Sequence, residues 1–114
     1  LGRYQVESYL DHQASKLVGR FDANAYLTLT EALMSHDVGR GRGGVAEALR
    51  RFTGRAFVAA VESDRLYLPA ESHELAALLP ARPQVHMIDS PLGHDGFLVH
   101  YGQVAEQLRQ DLAL

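Results

Sequence analysis

The sequence predicts an α/β fold, in which a helical segment is followed by two parallel strands with their helices. Three observations predict it. Apolar residues recur at helical spacing through the first half of the 114 residues, short apolar runs bounded by turn residues take over after Gly54, and helical spacing separates and follows those runs. The order strand, helix, strand, helix implies a parallel pair joined by a right-handed crossover. Parallel sheets are normally buried on both faces and several strands wide, so the second half reads as the edge of something larger.

The elements follow in order. Val6, Leu10, Ala14, Leu17 and Phe21 mark an amphipathic helix over 4–18, ending near Gly19. Asp22 is the expected N-cap of a second helix, because its carboxylate can accept the free amides of the next turn; Phe21 and Tyr26 stand at staple positions around it. Tyr26, Leu29, Thr30, Leu33 and Met34 share one face of that helix, which ends before "VGRGRGG", and a third helix covers roughly Val45 to Phe52. "AFVAAV" at 56–61 reads as a buried strand, 70–79 as a helix stopped by Pro80, and "VHMI" at 85–88 as the second strand. Val104, Leu108 and Leu112 mark a last helix.

Composition narrows the partners. Net charge is −3, from 14 acidic against 11 basic residues, so no basic field draws the chain to nucleic acid or an anionic membrane. The longest apolar runs are too short to span a bilayer, and "LGRYQVESYLDHQ" does not resemble a signal peptide. The chain opens without methionine and reads as a piece of a longer protein. There is no cysteine, which excludes disulfides and thiolate metal sites and fits a reducing, cytoplasmic location. Histidines at 12, 36, 73, 86, 94 and 100 show no metal-binding spacing, so no metal is expected. "GRGRGG" at 39–44 has the glycine spacing of a dinucleotide loop but follows a helix rather than a strand; it reads as a flexible helix-ending loop, with contact of Arg40 and Arg42 to coenzyme phosphates or an RNA-binding arginine–glycine segment as the alternatives, the latter weak as one copy in an acidic chain.

The chemistry-bearing residues are Asp64, just past the first strand, and His94, six residues past Ile88. Ligands of open α/β sheets gather beyond the carboxyl ends of the strands, and neighbouring strands lie ~4.8 Å apart, so these two loops can bring a carboxylate against an imidazole. That contact would fix the ring's tautomer and stabilise the imidazolium formed when it takes a proton. Aspartate then histidine, with one crossover helix between, is the order of the last two members of a nucleophile–Asp–His triad on this type of sheet. Serines at 8, 15, 35, 63, 72 and 90 include none in a G-x-S-x-G elbow, so the nucleophile is expected outside these residues.

The stretches "YQVESYLDHQASKLVGRFDANAYLTLTEAL", "SHDVGRGRGGV", "SDRLY" and "GHDGFLV" together resemble the C-terminal third of the homoserine O-acetyltransferases. The resemblance implies an α/β-hydrolase fold, with residues 1–52 as helical lid segment and 53–114 as the last two parallel strands and their helices. It implies Asp64 and His94 as triad members, Asp95 as the residue that binds the amino group of L-homoserine, and acetyl-CoA as co-substrate with no permanently bound cofactor. It further implies a homodimer through the lid helices, association with an N-terminal part carrying the serine, and no activity for these 114 residues alone. One departure is that Pro69 follows Leu68, where the family commonly has proline directly after the tyrosine. Two alternatives stand beside this reading: the same fold using succinyl-CoA or a serine acceptor, and a non-catalytic helical interaction fragment. The apolar stripes of Tyr4, Tyr9 and Tyr26 with Leu10, Leu17 and Leu29 serve either helix-on-helix packing or that dimer interface.

Overall fold

A computed structural model of the chain describes residues 2–112. It divides into two compact units, Leu1–Asp37 and Val38–Leu114.

The first unit is helical, with α1 at Gln5–Arg20 and α2 at Ala23–Ser35. α1 opens with the Tyr4 amide donating to the Glu7 carboxylate at 3.1 Å, and it runs one residue past Gly19 before the extended Phe21 ends it. The Asp22 cap forms as expected: its carboxylate accepts from the Ala25 amide at 2.8 Å. Phe21 meets Tyr26 edge-on across that cap, with ring centroids 6.1 Å apart, so the staple forms too. No residue of either helix is buried, and Tyr9, Leu10, Leu29 and Leu33 are all exposed. Packing of one helix on the other therefore accounts for the Phe21 corner but not for the stripes.

The second unit contains α3 (Val45–Arg50), β1 (Val58–Val61), α4 (Pro69–Leu78) and β2 (Val85–Ile88). A 3-10 turn at Gly93–Asp95 then runs into α5 (Gly96–Val99), and α6 spans Tyr101–Leu112, with the Leu112 side chain outside the described residues. α3, which the sequence groups with the preceding helices, falls in this unit, where Leu49 packs on the core. The strands are parallel with Val58 opposite Val85 and Val61 opposite Ile88. β1 starts two residues later than the apolar run suggests. The register would set Ala56 against Pro83, which has no amide to donate, and Phe57 stacks on His86 instead, with centroids 4.9 Å apart. α4 begins at Pro69, whose fixed φ suits a first helical position, and Glu71 accepts from the Leu68 amide at 3.2 Å.

The core is small. Val58, Ala60 and Val85 on one face of the strand pair pack with Ala76 and Leu79 from α4 and its end. On the other face Val61 lies against Gly96 of α5, and His86 meets Asp111 of α6 at 3.0 Å. α6 is tied to the end of β2 by the Gln103 side chain, which accepts from the Asp89 amide at 3.0 Å and donates to the Asp89 carbonyl at 2.9 Å. The result is helix-rich with two parallel strands, as a partial α/β fold should be. No helix among the described residues is long and apolar enough to cross a membrane.

The "GRGRGG" loop is hydrogen-bonded within itself. The Arg42 and Gly44 amides both donate to the Gly39 carbonyl, at 2.9 and 3.3 Å. The Arg42 guanidinium donates to the Val38 carbonyl at 2.8 Å, and Arg51 reaches the Arg42 carbonyl at 3.3 Å. Backbone bonds of this kind, made possible by glycines at positive φ, knit the loop locally.

Candidate active site

Two loops leave the carboxyl ends of neighbouring strands, and each carries one expected residue. Asp64 stands three positions past Val61, and its amide donates to the Val61 carbonyl at 3.1 Å, which turns the chain sharply as it leaves β1. The residue is 6% exposed. One oxygen, Oδ1, accepts from the amides of Leu66 and Tyr67, at 2.8 and 3.0 Å. The other, Oδ2, lies 2.8 Å from Nδ1 of His94. Sequence topology brings these two residues together as expected, 30 positions apart.

The electrostatics of the pair set the ring's tautomer. Burial by itself pushes the Asp64 carboxyl up, but the bonds from His94, Tyr67 and Leu66 outweigh it, and its pKa is held below the ordinary value of 3.8. An ionised carboxylate can only accept, so Nδ1 of His94 is the donor. A neutral imidazole that donates through Nδ1 carries its lone pair on Nε2, the nitrogen turned away from Asp64. The ring is 39% exposed, so that lone pair is open to a reacting group. Tyr67 and Phe97 flank the ring with centroids at 5.0 and 5.4 Å, restricting its tilt. A cavity of about 360 Å³ opens here, lined by Asp64, His94, Tyr67, Phe97 and the strand residues Val61 and Ile88.

Asp95 is exposed, one residue past His94 at the end of the 3-10 turn. It holds the N-cap position of α5 but makes no side-chain capping bond there, so the helix does not use its carboxylate.

Ser63 and Ser90, two of the serines that lack the elbow motif, flank the site. The structure gives them other work. Ser63 Oγ donates to the Ser90 carbonyl at 2.5 Å and accepts from the Gly93 amide at 2.9 Å. Ser90 is buried, and its own hydroxyl accepts from the Leu92 amide at 3.2 Å. Gly93 has φ +64°, a left-handed conformation that a side chain would strain, and it delivers His94 into the 3-10 turn. Gly96 is needed for a different reason: a Cβ there would lie 2.7 Å from Ser90 Cβ and 2.8 Å from Val61 Cγ1. Ser63 directly precedes Asp64 and Gly93 directly precedes His94, but neither neighbour carries a period, so neither is read from spacing.

Comparison with known proteins adds kinship. No family model matches the chain. Over 112 residues, 98% of the chain, it is 55% identical to the homoserine O-acetyltransferase of Thermobifida fusca. Over 113 residues, 99% of the chain, it is 54% identical to the protein of that name from Mycobacterium tuberculosis and 51% identical to that from Mycobacterium leprae. The chain spans 30% of the length of each of these curated relatives.

Proposed function

Because this chain is related along its own length to the homoserine O-acetyltransferases, we propose that it is the C-terminal portion of an acyl-CoA-dependent transferase that acetylates L-homoserine in amino-acid biosynthesis. On this reading it is the last part of an α/β-hydrolase fold, with a helical lid segment at 1–52 and the final strands at 53–114. The single observation that carries the reading is the 2.8 Å contact between Asp64 and Nδ1 of His94, with Nε2 left for chemistry.

The mechanism proposed for the complete enzyme runs in two exchanges. Nε2 of His94 takes the proton of a serine hydroxyl from outside these residues as that oxygen attacks the thioester carbon of acetyl-CoA. The C–S bond breaks, coenzyme A leaves with the proton from Nε2, and the acetyl group remains as a serine ester. The homoserine hydroxyl then gives its proton to Nε2 and attacks that ester; the serine oxygen leaves and recovers the proton. His94 thus ends as it began, and Asp64 holds its tautomer and supports the imidazolium at each transfer. Asp95, the residue after His94, supplies a carboxylate for the ammonium of the acceptor, a charge-assisted contact that does not interfere with the helix it precedes. The acetyl donor diffuses in as co-substrate, and no resident cofactor enters the scheme.

The test is acetyl transfer by the complete enzyme, followed by mass spectrometry. His94→Ala should abolish formation of the acetyl-enzyme, and Asp64→Asn should reduce turnover by ~10⁴, as loss of the orienting carboxylate does in a triad. Near-normal turnover of His94→Ala, or a preference for succinyl-CoA over acetyl-CoA, would overturn the reading. The 114 residues alone should form no O-acetylhomoserine.

A further inference from the structure

We infer that Ser63 is a positioning residue: its hydroxyl is the clamp that holds the His94 loop in register with Asp64. The inference rests on the triad reading above but concerns a residue that reading does not use.

The argument begins with how little else joins the two loops. The strand ladder extends one step past β1, where the Glu62 amide donates to the Ile88 carbonyl at 3.1 Å. Beyond that step, the hydrogen bonds recorded between residues 63–68 and 89–95 are the Asp64–His94 contact itself and two made by Ser63. Those two form a relay. The Gly93 amide donates to Ser63 Oγ, and Ser63 Oγ donates to the Ser90 carbonyl. One hydroxyl therefore grips both ends of the 90–93 turn, and chained bonds of this sort strengthen one another.

Position in the chain makes the clamp consequential. Ser63 directly precedes Asp64, and Gly93 directly precedes His94. The 2.9 Å bond from the Gly93 amide to Ser63 Oγ thus fixes the backbone one residue before the ring, from a point one residue before the carboxylate. Gly93 at φ +64° sits in a turn that the Leu92 amide and Ser90 Oγ brace from inside, so the turn moves as a unit if its anchor is lost. Removing the hydroxyl leaves the Asp64–His94 bond as the sole hydrogen bond between loops whose separation it needs, beside the Tyr67–His94 ring contact. A displacement of ~1 Å in a catalytic group costs ~10²-fold in rate.

The experiment uses the complete enzyme with Ser63→Ala, Ser63→Thr and His94→Ala, measured side by side. Ser63→Ala should lower kcat by ~10–100-fold while KM for homoserine changes less than about twofold, because the clamp touches no substrate. Ser63→Thr keeps the hydroxyl and should recover most of the lost kcat. Imidazole ¹⁵N shifts of His94 give a second readout: predominantly Nδ1–H in the parent, mixed tautomers in Ser63→Ala. A kcat for Ser63→Ala within twofold of the parent, unchanged ¹⁵N shifts, or a Ser63→Thr enzyme as slow as Ser63→Ala would overturn the inference. An active His94→Ala enzyme would instead sink the triad reading, so the two failures are distinguishable.

Discussion

Replacing Gly96 by alanine should destabilise this protein, although alanine is ordinarily the better helix residue. Gly96 has helical dihedrals, φ −54° and ψ −36°, so the substitution incurs no backbone strain. In open space it would gain about 0.5–1 kcal/mol through reduced freedom of the unfolded chain. The space is not open. The new Cβ would stand 2.7 Å from both Cβ and Oγ of Ser90 and 2.8 Å from Val61 Cγ1, where comfortable carbon contacts begin at about 3.5 Å. Each neighbour would have to retreat by roughly 0.7 Å, and neither is a flexible tip, since Ser90 and Val61 are both 3% exposed. Overpacking of this kind costs about 1–3 kcal/mol, so the net lies between about zero and a loss of about 2.5 kcal/mol, centred on a few degrees in Tm. Gly102→Ala is the control: it is helical, and nothing lies within 4 Å of its Cβ, so the same chemical change should stabilise by up to about 1 kcal/mol. Denaturant melts of both variants against the parent decide it. A Gly96→Ala protein stabilised as much as Gly102→Ala would refute the close approach of α5 to β1 and to the turn before His94.

Two more outcomes are expected. Since the folded pKa of Asp64 lies below its unfolded value, its contribution to stability is present above the ordinary carboxylate pKa and disappears as pH falls through the lowered one; ¹³C titration of its carboxyl should show a midpoint below 3.8, and a midpoint above that contradicts the bonding described. The exposed stripe of Tyr9, Leu10, Leu29 and Leu33 should make the 114-residue chain self-associate, and sedimentation showing a folded monomer that persists on dilution and concentration alike would refute it.

Where local chemistry decides, the sequence was legible. The Asp22 cap and the Phe21–Tyr26 staple depend on neighbours a few residues apart, and both form. The Asp64–His94 contact was legible for another reason: parallel strands and a crossover constrain where two loops emerge, so topology alone sets them side by side. What could not be read depends on contacts made at a distance. β1 starts at Val58 because its register sets Ala56 against Pro83, ahead of β2, and not because of its own apolar run. The helical turn and α5 at 93–99 contain two glycines that disfavour helix in isolation, and their close fit to Ser90 and Val61 appears only after folding. Ser63 reaches backbone groups 27 and 30 positions away, a link with no periodic trace.

The Gln103 amide has a consequence for how the sheet can grow. The Ile88 carbonyl faces β1, so by alternation the N–H and C=O of Asp89 point away from it, toward the outer margin of the pair. An incoming strand would need that donor and acceptor. Gln103 already engages both, presenting a carboxamide where a neighbouring peptide group would lie. Unpaired margins invite edge-to-edge joining between chains and the aggregates that follow. A single side chain from α6 caps this position just past β2, so a strand pairing along that margin would lose its last rung there.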